Sequence, residues 1–129
     1  MLPQIINYFS YLLTGLIFGT VFVMLYTRLT PYDELRLIRE GITAAAYSFG
    51  GALLGFVLTI ASSIFHSNDL YSFAMWSALA MVVQLLVFAI ATRLIPELDV
   101  AIREDNKAVG LLLGSVALTI GIINAACLS

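Results

Sequence analysis

Residues 70–92 read LYSFAMWSALAMVVQLLVFAIAT, a stretch with no Asp, Glu, Lys or Arg, and stretches of this kind decide the fold. About 20 mostly apolar residues suffice for a helix to cross the hydrocarbon core of a bilayer. Three further stretches meet this requirement, at residues 5–27, 42–65 and 107–128. Residues 82–88 do not alternate between apolar and polar as a membrane barrel strand would, and helices satisfy their own backbone in lipid. We therefore predict an all-α membrane protein with four transmembrane helices.

The composition excludes several classes of protein. The chain of 129 residues is 61% apolar and 11% charged, with a net charge of −2, whereas soluble domains are about 45–50% apolar and about 25% charged. A cytosolic globular enzyme and a disordered tail are excluded, and no nucleic-acid partner is expected because phosphate backbones need a basic face. The single cysteine excludes a disulfide framework. We predict one integral membrane domain, residues 1–129, whose main partner is the lipid bilayer.

The basic residues predict the orientation in the membrane. All of them lie in two connections between predicted spans: Arg28, Arg36 and Arg39 in one, Arg93, Arg103 and Lys107 in the other. By the positive-inside rule both connections are cytoplasmic, and both termini and the turn near residues 66–69 face outward. Residues 1–4 carry no Lys or Arg, so we expect the first segment to be a retained helix and not a signal peptide.

The two charged connections resemble each other. The sequence TRLTP at 27–31 matches TRLIP at 92–96, and IRE at 38–40 matches IRE at 102–104. Each half would cross the membrane twice, so both copies would insert the same way up. We predict two tandem helical hairpins, residues 1–65 and 66–129, related as a parallel internal repeat.

Each charged connection could hold a short amphipathic helix at the inner interface, or a polar loop with a helical end. In the first, Pro31 can be the first helical residue, with Thr30 as its N-cap. Tyr32, Leu35 and Ile38 would then share one face. The second connection repeats the pattern less clearly, with Pro96, Leu98, Ala101 and Ile102.

Small residues predict where the helices pack, since helices in lipid associate through close contact of small side chains. G-x-x-x-G pairs occur in the first, second and fourth spans, and further small residues extend them. The predicted packing residues are Gly15, Gly19, Ala46, Gly50, Gly51, Gly55, Gly110, Gly114 and Gly121. We expect central positions for the second and fourth spans. The pattern fits contacts within one protomer and contacts between protomers, and we predict a homo-oligomer.

Polar residues inside the spans allow two interpretations. Gln84, near the middle of the third span, either lines a pathway or makes a hydrogen bond between helices. A second set lies towards the outer ends of the second and fourth spans and either lines an outward-facing cavity or packs helices. This set comprises Ser62, Ser63, Thr119, Asn124 and Cys127.

No motif predicts catalysis, a cofactor or a metal. His66 and Asp69 are too few to make a metal site, and the interiors of the spans carry no ionisable residue of the kind that couples transport to protons or sodium. The acidic residues of the connections are expected to form a solvated face: Asp33, Glu34, Glu40, Glu97, Asp99, Glu104 and Asp105. A cytoplasmic protein could dock there through Arg36, Arg39, Arg103 and Lys107.

Five short motifs give the chain a family resemblance. They are TAA at 43–45, GALLG at 51–55, QLLVF at 84–88, NKAVG at 106–110 and NAAC at 124–127. With them the chain resembles the YjfL-like family of small bacterial inner-membrane proteins, a domain of unknown function. The resemblance implies four helices and an inner-membrane location but no established activity. One departure is Ile42, where relatives often carry Asn.

Two functions are consistent with these observations. The first is a self-associating structural or scaffolding module, linked to envelope maintenance or stress because relatives are often encoded near membrane-stress proteins. The alternative is a small channel or transporter whose pathway is lined by hydroxyl and amide groups. An enzyme is not expected, because the sequence contains no catalytic constellation.

Overall fold

The computed structural model describes residues 1–30, 33–95 and 97–128, which are all-helical with short turns. Four of the helices are long and apolar enough to cross a membrane, which confirms the predicted fold class. The helices are α1 (Leu2–Leu29), α2 (Glu34–Arg39), α3 (Thr43–His66), α4 (Leu70–Leu94), α5 (Leu98–Arg103) and α6 (Lys107–Cys127).

Helices α3 and α6 form the centre of the fold, and their backbones touch. A Cβ atom added to Gly51 would overlap the backbone of Gly114, and one added to Gly121 would overlap Gly55. Gly110 lies in the same way against Ala44. Because a glycine removes the side chain that would otherwise separate two helices, these positions allow the close approach that drives association in lipid.

Three of the predicted packing residues do not take part in the contact between α3 and α6. Outside the adjacent turns of their own helices, no atom of the part of the chain that the structure describes lies within 4 Å of a Cβ built on Gly19 or Gly50, and Ala46 is exposed. Ala46 and Gly50 thus make no close contact with another helix in the described part of the chain, and their predicted packing role, which fits contacts between protomers as well, stays a prediction. At about 100° per residue they lie roughly opposite Gly51 and Gly55, which face α6. A Cβ built on Gly15 would make only ordinary contacts, at 3.7 Å from Ile60 and 4.0 Å from Phe73.

Helix α1 is attached to the rest of the fold by aromatic side chains. Of its 28 residues, Phe22 and Tyr26 are buried. The ring of Phe22 stacks on Phe56 of α3 at a centroid distance of 4.5 Å, and the ring of Tyr26 lies 4.4 Å from that of Phe88 of α4. These contacts lie towards the charged end of the molecule, the end that carries α2 and α5.

The two charged connections end in the same backbone motif. After α2, Gly41 takes a left-handed φ of 84°, and after α5, Asp105 takes a φ of 58°. After α2, the N–H groups of Gly41 and Ile42 donate to the carbonyl oxygens of Ile38 and Leu37, respectively. Equivalent hydrogen bonds follow α5. This is the Schellman pattern of a helix C-terminus. It agrees with the predicted tandem repeat, which stays a prediction, as does the division at residue 65.

The predicted start of the first short helix is wrong. Helix α2 begins at Glu34, and Asp33 caps it by accepting a hydrogen bond from the N–H of Arg36 at 3.3 Å. Thr30 instead ends α1, and Pro31 and Tyr32 lie outside the described residues. With this later start, the inward face of α2 carries residues 34 and 37, and Leu35 is exposed. In α5 the expected Leu98 and Ile102 are buried, and Pro96 lies outside the described residues.

Asp105 joins the two connections. The N-cap position of α3 is Ile42, which has no side-chain acceptor. Asp105 supplies one from the other connection, because its Oδ1 accepts a hydrogen bond from the N–H of Ala44 at 2.8 Å. The start of α3 is thus held by a residue that precedes α6, so the cap also fixes the two central helices relative to each other.

The first prediction concerns the central contact. We expect Gly51→Leu to lower the free energy of unfolding by at least the roughly 1–3 kcal/mol typical of overpacking, since the new side chain meets the backbone of Gly114. Gly50→Leu is the matched control on the same helix, since a side chain there points into open space. Thermal unfolding in mild detergent, followed by circular dichroism, measures the difference. Equal melting temperatures would contradict the contact.

The second prediction concerns the shared cap. Asp105→Gly removes the carboxylate acceptor but suits the left-handed backbone, so it isolates the hydrogen bond to Ala44. We expect a loss of about 0.5–2 kcal/mol in the free energy of unfolding. Asp105→Asn retains an oxygen acceptor and tolerates the same backbone, so it should stay close to the parent protein. The capping role fails if the glycine variant is as stable as the asparagine variant.

Candidate functional site

Gln84 lies where α3, α4 and α6 meet. Its side chain is 2% exposed, and its Nε2 donates a hydrogen bond to the carbonyl oxygen of Ala117 on α6 at 2.8 Å. A Cβ built on Gly55 would lie 3.0 Å from the same nitrogen. Among the described residues, the Oε1 atom of Gln84 and the hydroxyl of Ser77 are buried without a hydrogen-bond partner. Gln84 therefore ties α4 to the central pair.

The predicted outer polar set is only partly brought together. Ser62 donates to the carbonyl oxygen of Ala125 at 2.6 Å, and Asn124 donates to that of Ala80 at 3.4 Å. Ser63 is buried and donates to Phe73 at 3.4 Å. Thr119 and Cys127 are exposed on α6. The three buried or half-buried members satisfy carbonyl groups of neighbouring helices, an arrangement that favours the packing interpretation.

A further hydroxyl group on α3 joins the central helices, and the sequence reasoning did not single it out. The Oγ1 of Thr59 lies 3.0 Å from the carbonyl oxygens of both Gly55, on its own helix, and Gly121, on α6. A threonine that bonds to the carbonyl four residues earlier is common in helices. Here the same hydroxyl also reaches across the glycine contact, which only the three-dimensional arrangement reveals.

The cations proposed for docking are exposed at the charged end. Arg36 pairs with Glu40 at 3.3 Å and Arg103 pairs with Asp99 at 3.0 Å, each between residues four apart in sequence. Arg39 and Lys107 are also exposed. Exposed pairs of this kind contribute little to stability, so all four side chains are available to water and to a partner.

Two acidic residues do not lie on the predicted solvated face: Asp105 is half-buried at the start of α3, and Glu34 is fully buried. Glu34 was expected on a solvated face, but its side chain is 0% exposed. Its Oε1 accepts a hydrogen bond from the hydroxyl of Tyr26 at 3.4 Å, and the same hydroxyl lies 3.0 Å from Ser48 Oγ on α3. Its Oε2 has no hydrogen-bond partner in the part of the chain that the structure describes. Tyr26, Glu34 and Ser48 form a buried polar cluster, here called the Glu34 cluster.

Burial controls the ionisation of Glu34. It raises the pKa of this carboxyl group from 4.5 to about 8, because the charged form loses its hydration, while hydrogen bonds from Tyr26 and Thr30 act in the opposite direction. At neutral pH the folded protein therefore holds Glu34 largely as the neutral acid. Asp69 at the other end is the contrast: hydrogen bonds from Ser72 lower the pKa of this exposed cap.

One signal in the sequence could have located Glu34. When the IRE motifs of the two connections are superimposed, Glu34 falls on Leu98, and Leu98 is buried in the structure. The first connection thus carries an acid where the second carries a buried leucine. Counting charges in the connections could not reveal this, because a count treats every carboxylate outside a span as solvated.

An open apolar groove runs between α1 and α3. Its volume is about 490 Å³. Gly15 and Gly19 contribute from α1, and Leu53 and Val57 contribute from α3. Thr20, also on the groove, bonds to the carbonyl of Leu16 on its own helix. The groove therefore presents an apolar surface to whatever lies beside α1 in the bilayer.

Comparison with known proteins agrees with a membrane location. Residues 1–128 match the family described as Domain of Unknown Function (DUF350). The chain is 34% identical, over its whole length and 98% of the relative, to the UPF0719 inner membrane protein YjfL of Escherichia coli (strain K12). It is 28% identical, over 94% of its length and 88% of the relative, to the UPF0719 transmembrane protein YshE of Bacillus subtilis (strain 168). No solved structure matches it significantly. The chain, an integral membrane protein, therefore belongs to the DUF350 family.

Proposed function

We propose that this chain is a structural module of the bacterial inner membrane, not an enzyme, and that it self-associates through α1. The observation that carries the proposal is the free glycine face of α1. Apart from its own stretch of helix, nothing in the described residues lies within 4 Å of a Cβ built on Gly19. The corresponding faces of α3 and α6 are occupied by each other, through Gly51 and Gly114.

The surroundings of Gly19 support a helix as the occupant. Helices in lipid associate where small residues let their backbones approach, and α1 offers Gly15 and Gly19 one turn apart. The groove beside them is apolar and is continued by Leu53 and Val57 of α3. A second copy of α1 would bring the same two glycines and large apolar side chains, so a symmetric pair could fill both grooves.

The charged end would recruit a partner. The positive-inside rule places it in the cytoplasm, with both termini outside, and Arg36, Arg39, Arg103 and Lys107 are exposed there. A cytoplasmic protein with an acidic surface would complement these cations. The resemblance described above suggests envelope maintenance or stress as the setting for such a module.

A small channel or transporter is the second candidate. The buried Gln84 Oε1 and Ser77 hydroxyl, which lack partners among the described residues, favour it, because unsatisfied polar atoms in lipid often mark a pathway. Against it, the amide nitrogen of Gln84 is already bonded to Ala117. Packing therefore explains most of what the polar residues do.

The third prediction tests self-association. We expect the parent protein to form dimers or larger oligomers in liposomes at low protein-to-lipid ratio, and Gly19→Leu to shift it towards monomer, since a leucine blocks close approach of a second α1. Gly50→Leu places the same side chain on a free face of α3 and should not change the distribution. Single-molecule photobleaching counts the copies. A monomeric parent protein would refute the proposal.

The fourth prediction separates packing from a pathway. Gln84→Leu should lower the free energy of unfolding by about 1 kcal/mol or less, the usual contribution of a hydrogen bond between membrane helices, and should leave ion and polyamine flux across liposomes unchanged. Asn124→Leu serves as the parallel variant towards the outer end of the bundle. Flux through the parent protein that either variant abolishes would establish the channel instead.

A further inference from the structure

The short helix α2 has two buried residues, Glu34 and Leu37. Leu37 belongs to an apolar cluster with Ala44 and Ala45 of α3, and with Leu98 and Ile102 of α5. Glu34 accepts a hydrogen bond from the hydroxyl of Tyr26 on α1, and that hydroxyl also contacts Ser48 of α3. The Glu34 carboxyl group is therefore one of two side chains that seat α2 against the membrane-spanning helices.

The geometry suits a neutral carboxyl group and not a carboxylate. A buried anion needs a cation or several strong hydrogen bonds to offset its lost hydration. Glu34 accepts a long hydrogen bond of 3.4 Å from Tyr26 and another from Thr30. Both donors are neutral hydroxyl groups, and the Oε2 atom has no partner in residues 1–30, 33–95 and 97–128. No Lys, Arg or His of those residues forms an ion pair with it. As an acid, the group can lie buried beside the two hydroxyl groups.

We propose that the Glu34 cluster is a proton-binding site that holds α2 against the bundle when it is occupied, and that losing the proton releases α2 into the aqueous phase. The ligand is a proton because the side chain is completely buried and its neighbours are hydroxyl groups and apolar side chains. The site does not depend on self-association. Only its use in controlling the exposed Arg36 and Arg39 rests on the proposed docking function.

The direction of the pH dependence follows from the two states. When α2 is docked against the bundle, the Glu34 carboxyl group has a pKa of about 8. When α2 is released into water, the pKa of this group returns to about 4.5. Docking of α2 against the bundle therefore takes up a proton. The stabilisation that the protonated Glu34 gives to the docked position is fully present below pH 4.5 and is lost as the pH rises through about 8. Across that range the seating equilibrium would change by at most about three orders of magnitude.

Other ionisable groups near the cluster are on exposed surfaces. Tyr26 of α1 is the one that faces Glu34 directly, while Ser48 and the ring of Phe88, from α3 and α4, are not titratable. Tyr32 lies outside the described residues. The remaining titratable or charged groups on α1, α2, α3 and α4 near this end are exposed: Arg28, Asp33, Arg36, Arg39, Glu40, Tyr47 and Arg93.

The fifth prediction measures the release of α2 by thiol labelling of the full-length protein in liposomes. Cys127→Ser removes the existing thiol, and a single cysteine is then placed at Leu37, which is buried, or at Leu35, which is exposed on the same helix. The ratio of the two rates with a membrane-impermeant maleimide cancels the intrinsic pH dependence of the thiol. We expect the labelling rate of Leu37→Cys, divided by that of Leu35→Cys, to rise at least tenfold from pH 6 to pH 9.

Two variants and an internal control make the result decisive. Glu34→Gln is nearly isosteric and neutral, and Glu34→Leu copies the buried Leu98 of α5; with either, the ratio should stay low at every pH. In α5, the ratio of Ile102→Cys, which is buried, to Val100→Cys, which is exposed, should not change with pH. The proposal is overturned if the ratio does not change with pH in the protein that retains Glu34. It is also overturned if the ratio rises equally in the Glu34→Gln and Glu34→Leu variants, or equally in α5. The photobleaching count measures self-association separately. The proton-site proposal and the self-association proposal can therefore fail independently of each other.

Discussion

Backbone contact between α3 and α6 is the constraint on which the rest of the structure depends. Lipid tails are as apolar as leucine, so these two helices gain nothing by hiding apolar side chains from water. They gain from dispersion contacts and hydrogen bonds that only a short interaxial distance allows. Gly51, Gly55 and Gly121 provide that distance, and Thr59 then comes within 3.0 Å of a carbonyl on the opposite helix.

The other helices are added to this pair by different interactions. Helix α4 is joined to it by the amide of Gln84, which donates to Ala117. Helix α1 is joined by aromatic rings: Phe22 stacks on Phe56, and Tyr11 lies against Phe73 nearer the opposite end. These contacts leave Gly19 of α1 uncovered by the described residues, which is why we propose self-association through α1 and expect the central pair to stabilise the protomer.

At the charged end, α5 packs against the bundle independently of pH, whereas we propose that the packing of α2 depends on pH. Both short helices end in a Schellman turn, and Asp105 fixes the start of α3 from the opposite connection. Helix α5 is seated by Leu98 and Ile102, which carry no charge at any pH. Helix α2 is seated through Glu34, whose burial depends on a bound proton. The two connections thus end in similar backbone turns but attach their short helices through different chemistry.

The sequence by itself determined the number and extent of the membrane-spanning helices, because length and apolarity are sufficient where the solvent is hydrocarbon. It also determined the family, through residues 1–128. The tertiary structure alone decided which glycines meet another helix, since Gly50 and Gly51 are neighbours in sequence but lie on different faces of α3. It also decided that Glu34 is buried, because the solvation of a charge depends on what the rest of the chain packs around it.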